Sequence, residues 1–245
     1  MGLAASDLNA VDVFVKICES SNRSDFDLQE SVQSNLHVLN ACSSRGKLAL
    51  ISALDAGNVN AVEWILSDSY DNLRINNCDG EGRTALMAAC STPDPELGLN
   101  ALQIMICKWG KTIKYAEQDE INRWSALHYC AYHDYSDHAT MLIQAFREYT
   151  PESSHGLASL LDYYGQSALH IASSRGHIAT LRVLLKTCYS SSDVSLSSMN
   201  IRSRDFEGFS AIDVADNCQD GTVTVEDVRD ILLAHEAKIS TAGEC

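Results

Sequence analysis

One stretch of this chain constrains its fold more than any other: Gly165 to Leu185, GQSALHIASSRGHIATLRVLL. Apolar residues form a first block at Ala168, Leu169, Ile171 and Ala172, and a second set, past Gly176, at Ile178, Leu181, Leu184 and Leu185. The second set is spaced by three, three and one, which lines one face of a helix. Ser167 suits the N-cap of the first block, because its hydroxyl satisfies an otherwise unbonded amide. Gly176 suits the left-handed turn that ends a helix, a conformation least costly for glycine. The stretch therefore predicts a short helix, a tight turn and a second helix. Neither helix can bury its apolar face alone, so similar units must stack against it.

Such units are present. With Leu169 as marker, equivalents stand at Leu50, Leu86, Leu127 and Ile212, at intervals of 36, 41, 42 and 43 residues. An acid precedes the marker by seven at Asp79, Glu120, Asp162 and Asp205, and a glycine by four at Gly82, Gly165 and Gly208, with Arg123 in the third unit. An acid followed three residues later by glycine suits a tight turn. The block Ser167-Ala168-Leu169-His170-Ile171-Ala172 resembles the T-P-L-H-x-A pattern of the ankyrin repeat, whose period of about 33 residues is shorter than the intervals here. The finger DNLRINNCDGEG is similar to the family's V-N-A-x-D-x-x-G, and the resemblance runs from Gly46 to Ala237. It implies an all-α fold, an ankyrin-repeat solenoid of helix-turn-helix units with long β-hairpin-like fingers. The expected organisation is an N-terminal helical cap over 1–45, five repeats at 46–81, 82–122, 123–164, 165–207 and 208–240, and a tail at 241–245.

Asp7 to Ser20 reads as a helix with Val11, Phe14, Val15 and Cys18 on one face, and Asp27 to Cys42 as another. In the second repeat Pro93 and Pro95 interrupt the pattern, so its second helix is expected from Leu99 to Trp109. The last repeat is expected to end at Leu233, and the fingers Thr150–Tyr164 and Thr187–Glu207 are the long ones.

The 245 residues, 45% of them hydrophobic, suffice for one elongated solenoid or about two ordinary domains. The longest apolar runs fall short of the roughly 20 residues that span a bilayer, and the first residues show no secretory pattern. Nine scattered cysteines without a C-x-x-C read as reduced thiols. Cys90, Cys107 and Cys130, inside helical patterns, read as buried ones. These features place the protein inside the cell, cytoplasmic or nuclear. The opening MGLAAS matches the myristoylation pattern at Gly2 and Ser6, and a membrane would be a partner only through a lipid on Gly2. A net charge of −15 argues against direct nucleic-acid binding. Nine acids lie between Asp205 and Glu236, opposed within that span only by Arg229. They read as a solvated outer face or as a docking site for a partner's basic segment.

His128, Cys130, His133, Asp137 and His138 crowd one segment with types that ligate metals. The resemblance instead gives His128, and its equivalent His170, a hydrogen bond that supports the turn, so no metal is expected. Asp216 to Asp227 resembles the calcium loop of an EF-hand, but Cys218 stands at its third position, Asp227 at its twelfth, and no leading helix precedes it. Neither calcium nor another cofactor is expected. No phosphate-binding loop, nucleophile elbow or dinucleotide fingerprint occurs, so no catalytic residue is assigned and an enzyme is not expected.

The resemblance implies that a partner protein lies along a concave face of fingertips and first helices. The family's variable positions fall here on Gly80, Glu81 and Arg83, on Asn122 and Trp124, and on Tyr132 and His133. They continue at Tyr163, Tyr164 and Gln166, at Ser174 and Arg175, and at Phe206, Glu207 and Phe209. From the third repeat onward they are rich in aromatics and arginine, the types enriched at binding hot spots. Arg83, Trp124, Tyr132, His133, Tyr163, Tyr164, Gln166, Arg175, Phe206, Glu207 and Phe209 are therefore the expected partner-binding residues of a protein-interaction scaffold. The long fingers are also similar to those of the NF-kappaB inhibitors and of the intracellular part of Notch. That similarity implies, as the alternative, a regulator that binds a transcription factor.

Overall fold

The computed structural model describes residues 5–20, 36–67, 73–150, 156–188, 201–215 and 225–242. They fall into two compact units, Met1–Ile121 and Asn122–Cys245, each built of paired helices.

In the first unit α1 (Ala5–Cys18) is followed by a 3-10 turn (Leu36–Asn40), α2 (Ala49–Asp55), α3 (Val59–Leu66), α4 (Ala85–Ala89) and α5 (Pro95–Trp109). α1 packs on α2, α2 on α4, and α3 on α5, so first helices meet first helices and second helices meet second. Asn58 joins the end of α1 to the start of α3. Its Oδ1 accepts the Ala61 N–H at 3.1 Å, capping α3, while its Nδ2 donates to the carbonyls of Cys18 and Ser20 at 3.1 and 3.0 Å.

Two expectations change here. The helix expected from Asp27 to Cys42 is, in its described part, only the 3-10 turn. Asn40 ends that turn and holds the neighbouring finger, its Oδ1 accepting the Arg74 N–H at 2.6 Å and its carbonyl the Asn77 amide at 3.0 Å. α5 begins at Pro95 rather than Leu99. A proline is accommodated at the first helical position, where no N–H is needed, and Asp94 caps the helix by accepting the N–H of Glu96 and Leu97 at 3.1 and 3.2 Å. On that helix Cys107 is exposed, whereas Cys90 and Cys130 are buried as expected.

The second unit contains α6 (Ala126–His133), α7 (Ser136–Tyr149), α8 (Ala168–Arg175), α9 (Ile178–Cys188), α10 (Ala211–Ala215) and α11 (Val225–Ala242). α6 packs on α8, α8 on α10, and α7 on α9. The marker leucines Leu127 and Leu169 are buried, as are Leu142, Leu181 and Leu184 of the second helices that pack on theirs. α11 continues to Ala242, beyond both the expected end at Leu233 and the 208–240 repeat boundary.

The fingers are not hairpins in their described parts. Among the described residues no strand forms, only isolated antiparallel bridges between Cys78 and Thr84 and between Arg204 and Ser210. The turns close around a carboxylate instead. Asp79 Oδ1 accepts the N–H of Glu81 and Arg83 at 3.0 and 2.9 Å, Asp162 Oδ1 those of Tyr164 and Gln166 at 2.8 Å, and Asp205 Oδ1 those of Glu207 and Phe209 at 3.0 and 2.8 Å. The aspartate side chain takes these amides while its own backbone N–H donates to the carbonyl of Arg83, Gln166 or Phe209 at 2.9 Å, so the backbone pairing stops at the turn itself. In the turn before α6 the acid in this place is Asp119, buried, with its Oδ1 on the Ile121 N–H at 2.9 Å; the expected Glu120 is exposed. The left-handed residue keeps its place before the marker, at Arg123 with φ 56°, so the turn takes up its additional residue on the acidic side.

Candidate partner-binding face

Arg83 is the one expected contact residue in the first unit. Its Nη2 donates to both carboxylate oxygens of Asp55, at 2.8 and 2.7 Å, and its Nε lies 3.4 Å from Asp79 Oδ2. Its charge is thus committed within its own unit.

The second unit brings most of the expected residues together in two groups. The first is a run of rings on and beside α6. Trp124 meets the edge of Tyr129 at 5.3 Å between centroids and leans on Tyr132 at 5.0 Å; Tyr132 meets His133 at 5.0 Å. His133 stacks on Tyr135 at 5.4 Å, and Tyr135 on His138 at 4.9 Å. The Trp124 indole N–H donates to Asp162 Oδ2 at 3.3 Å, which ties this group to the next turn. The Arg175 guanidinium, at the end of α8, lies 4.0 Å above the Tyr132 ring. Burial lowers the His133 pKa, with help from the nearby Arg175 and His177, and burial alone drives His138 down to about 4. Both rings are therefore neutral near pH 7, and a row of uncharged aromatic faces supports a single cation.

The second group sits on the turns. Tyr163 donates its backbone N–H to the Asn122 carbonyl at 3.1 Å, and Phe206 donates to the Tyr164 carbonyl at 3.0 Å, so successive tips are linked by one hydrogen bond each. Gly165, with φ 75°, lies directly under Phe206: a Cβ there would meet Phe206 Cδ1 at 2.7 Å and its backbone nitrogen at 2.9 Å. The absence of that Cβ lets the phenyl ring cross the turn. Tyr163, Tyr164, Phe206 and Phe209 are 53%, 65%, 76% and 43% exposed, and Glu207 beside them is exposed too. Gln166 is half-buried and donates to Asp205 Oδ2 at 3.4 Å, while the Ser174 hydroxyl turns back to the Ile171 carbonyl at 3.0 Å.

Sequence reasoning missed Tyr129, Tyr135 and Arg123. The two tyrosines complete the ring run, and their proximity to Trp124 and Tyr132 in sequence was the available signal. Arg123 stands where other repeats have glycine, and its guanidinium lies 5.9 Å from the Tyr163 ring.

The acids between Asp205 and Glu236 are less open than their number suggests. Asp205 holds its turn, Asp213 accepts the N–H and hydroxyl of Ser210 at 2.9 and 2.8 Å, and Glu236 pairs with Arg202. Arg204 lies 3.5 Å from Asp213. Glu207 and Asp230 remain exposed.

Both ring nitrogens of His128 face protein groups: Nδ1 lies 3.2 Å from the Ser125 N–H, and Nε2 lies 3.3 Å from the Gln166 carbonyl. Among the described residues no three His, Cys, Asp or Glu side chains converge as metal ligands. Residues 216–224 of the calcium-like loop, and Gly2, lie outside the described residues. Among the described residues no helix is long and apolar enough to cross a membrane.

Residues 92–197 match the family model for ankyrin repeats, in three copies. No curated protein matches the chain. Among solved structures, a chain of the Bd0816 Predatory Endopeptidase from Bdellovibrio bacteriovorus in complex with immunity protein Bd3460 is similar, with a TM-score of 0.64 at 16% identity, over 90% of this chain and 96% of that one. At that identity the likeness is one of fold.

Proposed function

This chain is an ankyrin-repeat protein over residues 92–197, and from that premise we propose that it is a non-catalytic scaffold that binds a partner protein across the fingertips and first helices of its second unit. One observation carries this reading: four large aromatic side chains, Tyr163, Tyr164, Phe206 and Phe209, stand exposed on two consecutive linked turns. Exposed apolar rings gathered in one place mark interaction sites. Beside them, Trp124 and Tyr132 are already held in position by their neighbours, so binding would order few further side chains. The exposed Glu207 and Asp230 would face a basic stretch of the partner. Cys18, Cys42, Cys78, Cys90, Cys107 and Cys130 form no disulfide, which fits a reducing, intracellular setting. The alternative of a transcription-factor regulator rests on finger length, and neither comparison adds to it.

The test is affinity capture with the full chain, in parallel with Tyr163→Ala/Tyr164→Ala, each partner's affinity then being measured. The double variant is expected to weaken binding by about 2 kcal/mol or more, the hot-spot scale, with its thermal unfolding nearly unchanged. A double variant that binds normally and unfolds early would show the tyrosines to be packing residues and sink the reading.

A further inference from the structure

The chain has 18 Lys and Arg against 33 Asp and Glu, so a partly buried cation with no acceptor calls for an explanation. Several arginines have one: Arg83 has Asp55, Arg202 has Glu236, Arg204 has Asp213 and the Gly208 carbonyl, and Arg147 has the Thr187 carbonyl. Arg182 has none but is exposed, where water serves. Arg175 is different. It is half-buried, its Nε is buried without a hydrogen-bond partner, and among the described residues neither a carboxylate nor a carbonyl pairs with its guanidinium.

Its position is nevertheless fixed. The Tyr132 ring holds the guanidinium at 4.0 Å, and Tyr132 in turn rests against Trp124 and His133. A guanidinium lying against an aromatic face keeps its in-plane N–H groups available, and that planar fork matches a carboxylate in two parallel hydrogen bonds. The acids around it are engaged elsewhere. Asp134 accepts the Thr180 N–H and hydroxyl at 3.1 and 2.9 Å, and Asp162 serves its turn and the Trp124 indole. His133 adds no competing charge, because burial, Arg175 and His177 all lower its pKa.

We infer that Arg175 receives an Asp or Glu side chain of the partner, so that the segment seated on the second unit is acidic where it crosses Tyr132. This rests on the binding reading proposed for the face and adds the chemistry of what it selects. Flanking apolar side chains of the same segment would cover Tyr163 and Tyr164, which are exposed. The carboxylate would meet the two Nη groups end-on, since Nε is buried, and it is recognised by a group whose rotamer is already set.

The experiment pans a phage-displayed random dodecapeptide library on the full chain, and in parallel on Arg175→Gln, Arg175→Lys and Tyr163→Ala/Tyr164→Ala. Peptides selected by the unaltered chain are expected to be enriched in Asp and Glu, and to weaken as salt rises. They should bind Arg175→Gln about tenfold or more weakly, with part of the affinity restored in Arg175→Lys. Replacing the selected acid in the peptide by its amide should cost the same about tenfold, a test that leaves the protein's folding untouched. Peptides without acidic enrichment, indifference to the amide replacement, or a library that yields no binder each overturn the inference. Peptides that depend on the tyrosine pair but not on Arg175 would overturn it while leaving the binding face in place. Peptides that depend on Arg175 but not on the tyrosines would keep the arginine and remove the fingertips from the face.

Discussion

His170 Nδ1 accepts the backbone N–H of Ser167 at 3.2 Å, and the same nitrogen lies 2.8 Å from the Ser167 hydroxyl oxygen. Ser125 and His128 repeat the relationship at the same two distances. A backbone N–H can only donate, so Nδ1 carries the lone pair and Nε2 the proton. Nε2–H then donates to the Ser203 carbonyl, 3.1 Å away across the finger. One neutral ring thus closes the start of its own helix and holds the next turn.

Acid should loosen this arrangement. Burial lowers the His170 pKa, outweighing the backbone carbonyls and acids that raise it, and burial lowers His138 to about 4. The unfolded imidazoles titrate near about 6.5. Their stabilising contribution is therefore fully present above that value and is lost as pH falls from it toward the folded pKa, because the unfolded chain binds the proton first. Urea unfolding should weaken below about pH 6.5 by up to about 1.4 kcal/mol per pH unit for each such histidine. A flat stability profile down to about pH 5 would contradict this.

Asp119→Ala and Glu120→Ala separate the two readings of the third turn. Asp119 is buried with its carboxylate on the Ile121 amide, whereas Glu120 is exposed. Losing the first leaves a turn amide without its acceptor and should cost about 1–3 kcal/mol. Losing the exposed Glu120 side chain should cost less than that. Equal costs for the two would return the turn to Glu120.

Gly57→Ala and Gly165→Ala make a second pair. Both glycines have positive φ, 65° and 75°, but a Cβ at Gly57 meets nothing within 4 Å, while at Gly165 it strikes Phe206. The first should show only the left-handed backbone cost, about 1–2 kcal/mol. The second adds overpacking of about 1–3 kcal/mol and should shift the Phe206 ring resonances. Equal unfolding midpoints would remove Gly165 from its place under the ring.

Leu169→Ala tests the core. The side chain is fully buried between α6, α8 and α10, with an exposure of 0%. Truncation should cost about 2–5 kcal/mol by urea unfolding. A cost below about 0.5 kcal/mol would mean that Leu169 is not part of the core.

Much of the fold was legible in the chain because its signals are local. The spacing from Ile178 to Leu185 yields α9, Gly176 is left-handed with φ 72°, and Asn58 caps the helix that follows Gly57. The Pro95 misreading came from treating any proline as a break, when a preceding Asp94 makes it a first-turn residue. The hairpin-like fingers were expected from the family pattern, but in the turns described the aspartate side chains had taken the amides. The candidate face was legible as a set of positions. Tyr163, Tyr164, Phe206 and Phe209 are open, and Arg175 is seated on Tyr132, but no sequence pattern showed which cations were already paired.

By itself the sequence determined the helix pairs, their turns and the repeating core. Periodicity, caps and glycine backbone preferences are energies set within a few consecutive residues. Only the tertiary structure decided that Arg83 belongs to Asp55, 28 residues away, that Asp119 rather than Glu120 holds its turn, and that the Arg175 guanidinium lies over the Tyr132 ring. Those outcomes depend on which side chains stacking brings within hydrogen-bond reach. A difference of one residue in turn length, or of one helix face, changes the partner without changing the local pattern.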